Sequence, residues 1–451
     1  MKRLIPLFFI FGLLMVGCRT LPSTSSSAHP AGTQPAQSQR ETISGCPVLP
    51  KDTPAQLATG GPATLTVMGW SSTTAEDNLV RSQLADFQRL YPSIKVHWIS
   101  VTGNYVDKMS ILAAKNQLPD VFFMRPDMAS IYISKQKLLD LSPYMQRDHV
   151  QTNAYYPALF TPFMCNSTVY GIPKDWNTLG LVYNKTLFQK AGLPFPNSTW
   201  TWNDLRTAAR KLTYRSSDGI AHYGISLPDS SSRWLAFLFA NNGSVLDASQ
   251  KKSAFDTPLA IDAMTFYSSM QLQDHSSVLP GSLNASWAGQ VFGEQRAAMV
   301  IEGGWLIPYL KESYPQVTYG FAPLPLSPQN KRANLLFTNA WAASATTKYA
   351  EASWDLIRYM TSSAAQKNTL RSGLALPSLA SLTQNPSLQQ LSTMKTLFDA
   401  LPYSTLDYYG PQDTFIHNRL DLAVQNVLLG KMSVGDALAN AATQINAALS
   451  P

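Results

Sequence analysis

Two short clusters in the first third of the chain combine groups suited to recognition. Trp70-Ser71-Ser72 sets an aromatic face beside two hydroxyls, and Arg125-Pro126-Asp127 sets a guanidinium two residues from a carboxylate. Each follows a run of β-branched or aromatic residues that reads as a strand, and in open α/β sheets ligands bind beyond the carboxyl ends of strands. An aromatic face offers area to apolar C–H surfaces, and Asp, Asn and Arg add directional hydrogen bonds to hydroxyls. Such sets hold a small polar molecule, but breaking a bond needs a further constellation, and the sequence has few candidates. There is no G-x-S-x-G elbow, no H-E-x-x-H and no P-loop. Ser134-x-x-Lys137 and Ser249-x-x-Lys252 fit S-x-x-K but lack an accompanying K-T-G. The histidines (His29, His97, His149, His222, His275 and His417) have no metal-ligand spacing. No catalytic residue, metal or cofactor is therefore expected.

Composition narrows the class further. Charged residues make up 14% of the 451, while aromatics reach 11%, with ten Trp and nineteen Tyr. That balance favours apolar binding surfaces over charged ones. The formal charge of +7 comes from scattered Lys and Arg without a cluster, so no nucleic acid is expected as a partner. Lys2 and Arg3 precede an apolar run from Ile5 to Val16, too short to span a bilayer and of signal-peptide length. Residues 18–62 are rich in Ser, Thr, Pro, Gln and Ala and read as a flexible stalk. Residues 63–451 exceed what one core usually organises, which points to two lobes. Export would permit a disulfide between Cys46 and Cys165.

The elements that must position these clusters can be read in order. Thr64–Met68 reads as a buried strand, followed by a loop at Gly69-Trp70-Ser71-Ser72-Thr73. Helical spacing runs from Asp77 to Leu90 and stops at Tyr91-Pro92; Ile94–Val101 is the next strand. A helix through Met109–Lys115 and a strand at Pro119–Met124 repeat the unit. Further on come a strand at Leu179–Tyr183 and a helix opened by Thr201 as N-cap with Asp204 in its first turn. Alternating strands and helices imply a mainly parallel sheet flanked by helices.

Two resemblances add to this reading. Met15-Val16-Gly17-Cys18 resembles the lipobox of bacterial lipoproteins, which implies cleavage before Cys18, acylation of its sulfur and a chain tethered to the outer face of a membrane. The body resembles the solute-binding proteins of ABC importers, in the sugar-binding group that includes the maltodextrin binders. The resemblance rests on Phe87-x-x-x-Tyr91-Pro92-x-Ile94, Pro119-Asp120-Val121, Tyr170-Gly171-Ile172-Pro173, Val182-Tyr183-Asn184-Lys185, Thr199-Trp200-Thr201-Trp202 and Phe292-Gly293-Glu294-Gln295-Arg296-Ala297-Ala298-Met299 before Gly303-Gly304-Trp305. It implies an α/β, two-lobed clamp, each lobe a doubly wound sheet flanked by helices. Three crossings would fall near Tyr170–Thr178, Phe337–Ser344 and Gly373–Ser378. Residues 63–172 with 339–375 would form one lobe, and 173–338 with 376–451 the other.

The same resemblance places Trp305 as a stacking platform and Trp234 on a ligand-contact helix. It sets Asp175, Trp176, Asn177, Asn339 and Trp341 at the crossings and matches Asp127 to a cleft carboxylate, with Arg125 beside it either a contact or an ion-pair partner. Asn177 stands where maltodextrin binders carry a carboxylate and Met124 where they carry a Trp, which argues for a shorter sugar. Tyr408 and Tyr409 are candidate aromatics of the far lobe. A monomer that delivers a mono- or short oligosaccharide to membrane permease subunits is expected. Glycerol-phosphate, a polyamine or a peptide is the alternative solute, and a secreted carbohydrate-active enzyme with distant paired carboxylates is the alternative of another class.

Overall fold

The structure, a computed structural model, describes residues 61–71, 73–383 and 392–450. The expected signal segment, Cys18, the stalk with Cys46, and Ser72 lie outside the described residues. Cys165 is disulfide-bonded.

The body holds two mixed sheets. In the first, Ala63–Trp70 lies parallel to Ile94–Val101 on one side and to Val121–Met124 on the other. The strand runs two residues beyond the expected Met68, because Trp70 is still paired with Val101. Gly69 permits this extension: a Cβ there would lie 2.5 Å from the Phe123 ring and 2.6 Å from Trp98. The following helix, Thr74–Leu90, starts a turn before the expected Asp77. Its true cap is Thr73, whose hydroxyl accepts from the Glu76 backbone N–H at 3.0 Å. The sheet continues antiparallel through Asn334–Ala343, Gly171–Asn177 and Leu376–Pro377.

The second sheet has the order Ser277–Val278, Ala221–Ser226, Ala297–Glu302, Gly180–Asn184, Tyr319–Ala322. Thr201 and Asp204 form the expected capping box at the start of the helix Trp202–Lys211. Each sheet has its own core. Leu65, Val67, Phe87, Phe122 and Met109 pack around the first. Leu181, Phe188, Phe255, Tyr267 and Met299 pack around the second. Fully burying one such side chain is worth about 1.5–3 kcal/mol, so each lobe carries its own driving force.

Between the cores lies a strap of three strands. Gly171–Asn177 sits between the long strand Asn334–Ala343 and the short Leu376–Pro377, with Phe337 opposite Asn177 and Leu376 opposite Trp176. A third apolar cluster of Trp176, Leu336, Leu376, Leu397 and Leu406 seals it. The Trp176 indole N–H donates to the Pro377 carbonyl at 2.7 Å, which ties two strands of the strap together.

Candidate ligand-binding cleft

Three adjoining hollows open where the strap meets the two lobes. The first encloses about 440 Å³ between Trp70, Lys174, Asp175, Asn177, Trp287, Trp305, Tyr309 and Asn339. The second, about 660 Å³, reaches into the second lobe past Asp229, Ser232, Arg233, Trp287 and Glu302. The third, about 450 Å³, is bounded by Trp70, Arg125, Asp127, Ser232, Trp305, Asn339, Asp407, Asp413, His417 and Asp421. Trp305 lines all three.

The position of Trp305 has local causes. The strand Ala297–Glu302 ends, Gly303-Gly304 turns the chain, and the helix Leu306–Ser313 begins with Trp305 as its N-cap. Gly304 is packed so closely that a Cβ would lie 2.9 Å from the Asn177 Oδ1 and from the Gly373 and Leu374 carbonyls. The indole N–H donates to Glu302 at 2.8 Å, and the Arg233 guanidinium lies 5.9 Å from the ring centroid. Arg233 also pairs with Glu302 at 2.6 Å. The ring is therefore fixed on one side and half-exposed to the hollows on the other. On the opposite lobe, Trp70 is buttressed edge-on by Tyr105 and Phe123, with centroids 5.0 and 5.1 Å away.

Asp175 lines the first hollow and is neutralised by the Lys174 ammonium. Asn177 also lines it, but its amide is committed to the backbone. It donates to the Leu374 carbonyl at 3.0 Å and accepts from the Gly304 N–H at 3.0 Å. Arg125 grips Asp127 with two bonds, at 3.0 and 2.9 Å, so that pair reaches the third hollow as a self-neutralised unit.

Other expected residues serve packing. Trp176 is 1% exposed and faces the strap's apolar seal. Trp234 is fully buried in the second core, because its helix Ser231–Ala240 turns that face to the sheet. Trp341 stands edge-on to Phe123 at 4.5 Å in the first core. Ser71 is half-buried and accepts from the Ser100 hydroxyl at 3.2 Å, and the three hollows do not include it. Met124 is fully buried. Tyr408 belongs to the strap's seal, and Tyr409 lies 5.3 Å from the His417 ring.

The sequence reading missed Trp287, Tyr309, Glu302 and the group Asp407, Asp413, His417 and Asp421. It treated His417 as isolated. Yet Asp413, His417 and Asp421 recur every fourth residue on the helix Asp413–Leu428, which puts them on one face. His417 Nε2 lies 3.4 Å from Asp407 Oδ1 and 3.7 Å from Asp413 Oδ1. Burial pushes the Asp413 carboxyl up to about 7, with Asp407 and Asp127 adding to the rise against the pull of His417. Burial also raises Asp407. For His417 burial opposes the charge, but Asp407, Asp413, Asp421 and Asp127 outweigh it and raise the imidazole. The expected cleft of few charges is thus corrected at its third hollow. Among the described residues there is no His, Cys, Asp and Glu group suited to hold a metal ion.

The lobes also touch beside the hollows. Glu312 accepts from the Ala75 backbone N–H at 3.0 Å, capping the opposite lobe's first helix, and the Thr414 hydroxyl donates to the Asp127 carbonyl at 3.5 Å.

This geometry has counterparts among known proteins. Residues 70–367 match the family described as bacterial extracellular solute-binding protein. A binding protein of Brucella abortus is 24% identical over 211 residues, 46% of this chain and 50% of that protein, so the match spans only half of that relative's length. A maltooligosaccharide ABC transporter solute-binding lipoprotein of Streptococcus pneumoniae is 25% identical over 268 residues, 58% of this chain and 60% of that one. An ABC substrate-binding protein of Listeria monocytogenes, solved with cycloalternan, superposes with a TM-score of 0.79 at 22% identity, covering 86% of this chain and 99% of its own. That superposition establishes the two-lobed fold.

Proposed function

We propose a transport function on a plain premise: the chain belongs to the bacterial extracellular solute-binding protein family. It captures a small carbohydrate, a mono- or short oligosaccharide, between its lobes and delivers it to the permease subunits of an ABC importer. The observation that carries this reading is Trp305, a ring half-exposed at the junction of three hollows and bounded by carboxylates and amides. A pyranose presents apolar C–H faces for such a ring and hydroxyl edges for its rim. Trp70, Asp175, Asn177, Asn339, Arg125 and Asp127 are the other wall residues proposed to meet the solute. The similarity to a maltooligosaccharide ABC transporter solute-binding lipoprotein supports the same class.

An anionic solute fits less well. The basic side chains on the walls are each engaged by carboxylates: Arg125 by Asp127, Lys174 by Asp175, Arg233 by Glu302 and His417 by Asp407 and Asp413. A phosphate ester would have to break one of these pairs. Residues 63–172 with 339–375 and residues 173–338 with 376–451 act as the two jaws about the strap. A lipid on Cys18 holds the monomer at the outer membrane face, close to the permease. The protein binds its solute without turning it over.

A thermal-shift screen against mono- and oligosaccharides tests this. A specific sugar raises the midpoint as the free energy RT ln(1 + [L]/Kd). A response to glycerol-phosphate or a peptide with none to any sugar would overturn the carbohydrate reading, and hydrolysis of the sugar during incubation would overturn the binding-only one.

A further inference from the structure

We propose that the third hollow seats a protonated amine of the solute, so that the carbohydrate is an amine-bearing saccharide; this rests on the saccharide reading above. Four carboxyl side chains bound that hollow, Asp127, Asp407, Asp413 and Asp421, against Arg125 and His417 as the basic groups. Arg125 is consumed by Asp127 through two hydrogen bonds. Asp407 and Asp413 therefore share one imidazole, and Asp421 is met by the Ser231 N–H and hydroxyl at 2.6 and 2.5 Å, with no cation of its own among the described residues, in a chain whose formal net charge is +7. A local excess of carboxylates in a basic protein asks for a cation from outside.

The Asp407 side chain makes that demand specific. It is nine-tenths buried, and although the Tyr409 hydroxyl bonds the carboxyl, its Oδ1 receives no hydrogen bond, with His417 Nε2 lying 3.4 Å away. A buried carboxylate oxygen left so is costly, and an ammonium brings three donors and a full charge. A sugar hydroxyl brings one donor and no charge. Serine hydroxyls at 230 and 232 and the Thr414 hydroxyl stand on the same wall to receive the rest of the ring. Trp305 forms the adjoining wall, so a stacked pyranose and its amine substituent reach the ring and the carboxylates together.

The placement also bears on closure. Asp127 belongs to the first lobe, and Asp407, Asp413 and Asp421 belong to the second. Where the Thr414 hydroxyl donates to the Asp127 carbonyl, the two lobes meet beside this hollow. An ammonium seated there would lie against groups of both lobes and so favour their closed arrangement. The raised Asp413 carboxyl agrees with this picture. It is faced by Asp407, Asp127 and His417, by the Tyr409 backbone N–H at 2.6 Å, and through its helix by Asp421, with Arg233 near Asp407. Such a carboxyl keeps its proton near neutrality until a cation arrives, and binding should displace that proton.

Calorimetry on the purified full chain tests the proposal. The panel is the di- and trisaccharides of β-1,4-glucosamine, their N-acetylated forms, the matching glucose oligomers, and spermidine. The free-amine sugars should bind about tenfold or more tighter than both neutral series, as one close charge pair provides. Their binding should release protons at pH 5.5, where the sugar amine arrives already protonated, seen as a buffer-dependent enthalpy, and neutral sugars should not. Asp407→Asn and Asp413→Asn should each erase most of the preference. A far-UV circular dichroism spectrum and a single cooperative melting transition like those of the parent protein report that the variants fold. Equal affinity for amine and neutral sugars, or an unchanged preference in both variants, overturns the amine proposal and leaves the carbohydrate reading standing. Spermidine binding without any saccharide binding overturns the carbohydrate reading, and silence from the whole panel overturns both.

Discussion

Two carboxylate groups, one in each lobe, are handled in opposite ways. In the first lobe, Asp148 is met by Arg147, by Arg358 and by the indole N–H of Trp354 at 2.7 Å. The Arg147 hydrogen bond leads in holding its carboxyl down at about 2, against the opposing effect of burial, with Trp354 and Arg358 adding to the pull. In the second lobe, Asp413 and Asp407 share His417, and burial leaves both carboxyls raised. The first arrangement is complete without a ligand and works for the fold. The second leaves Asp407 Oδ1 without a hydrogen bond, and it is this group that we propose to be held for the solute.

The largest effect that should sharpen this contrast is on binding. Trp305→Ala should weaken the best sugar by about thirtyfold or more, the loss typical of a central aromatic anchor. Trp70→Ala, on the completed wall, should cost less; titration calorimetry that found the two losses equal would break the comparison. Next comes Asp148→Asn, which should lower stability at pH 7 by about 2 kcal/mol, the worth of holding a carboxyl from 3.8 down to about 2. That stabilisation is present above the ordinary carboxylate range and is lost as pH falls from 4 toward 2, as denaturant titrations across that range would record.

Asp413 should give the opposite slope. Its folded carboxyl, at about 7, lies above the ordinary 3.8, so the native state holds the extra proton. The associated stability is complete below pH 4 and is lost as pH rises toward and through 7. His417, also raised, loses its contribution in the same direction. The melting point of the ligand-free protein should therefore fall between pH 5 and 8, and Asp413→Asn should flatten that fall. The smallest change is expected from Arg125→Ala. The guanidinium is 48% exposed, and removing it should cost less than about 1 kcal/mol of stability in the same denaturant assay.

Much of the fold was legible in local chemistry. The Thr201–Asp204 capping box and the helix stop at Tyr91-Pro92 can be read directly, because each is fixed by neighbours in the chain. The cleft was less so, for a reason visible on the strap. Asp175 and Asn177 share one face of a strand and reach the hollow, while Trp176 between them must point the other way. Alternation foretells that split. It fails one residue earlier, because Asn339 pairs with Asp175 and Ala340 with Pro173, so Lys174 is passed over and lines the hollow beside Asp175; nothing in the residue types marks that irregularity. On the neighbouring strand Asn339 and Trp341 share a face, but Asn339 lines the hollow and Trp341 lies in the first core, a difference of depth that parity does not foretell. The acidic group was readable in part, since its four-residue spacing lies open on one helix. Asp407 comes from the segment before that helix, and only folding brings it to His417.

The Asn177 amide has a mechanical consequence. By bonding Gly304 on one side and Leu374 on the other, it fastens the root of the Trp305 loop to the strap. When two bodies swing about a common pivot, a point near the axle sweeps a short arc and a point at the rim sweeps a long one. Trp305 is rooted at the axle, whereas Glu312, which meets Ala75, rides on the far end of the next helix. An arriving solute would thus find one landing surface already in place, and the travel would fall to the opposing jaw.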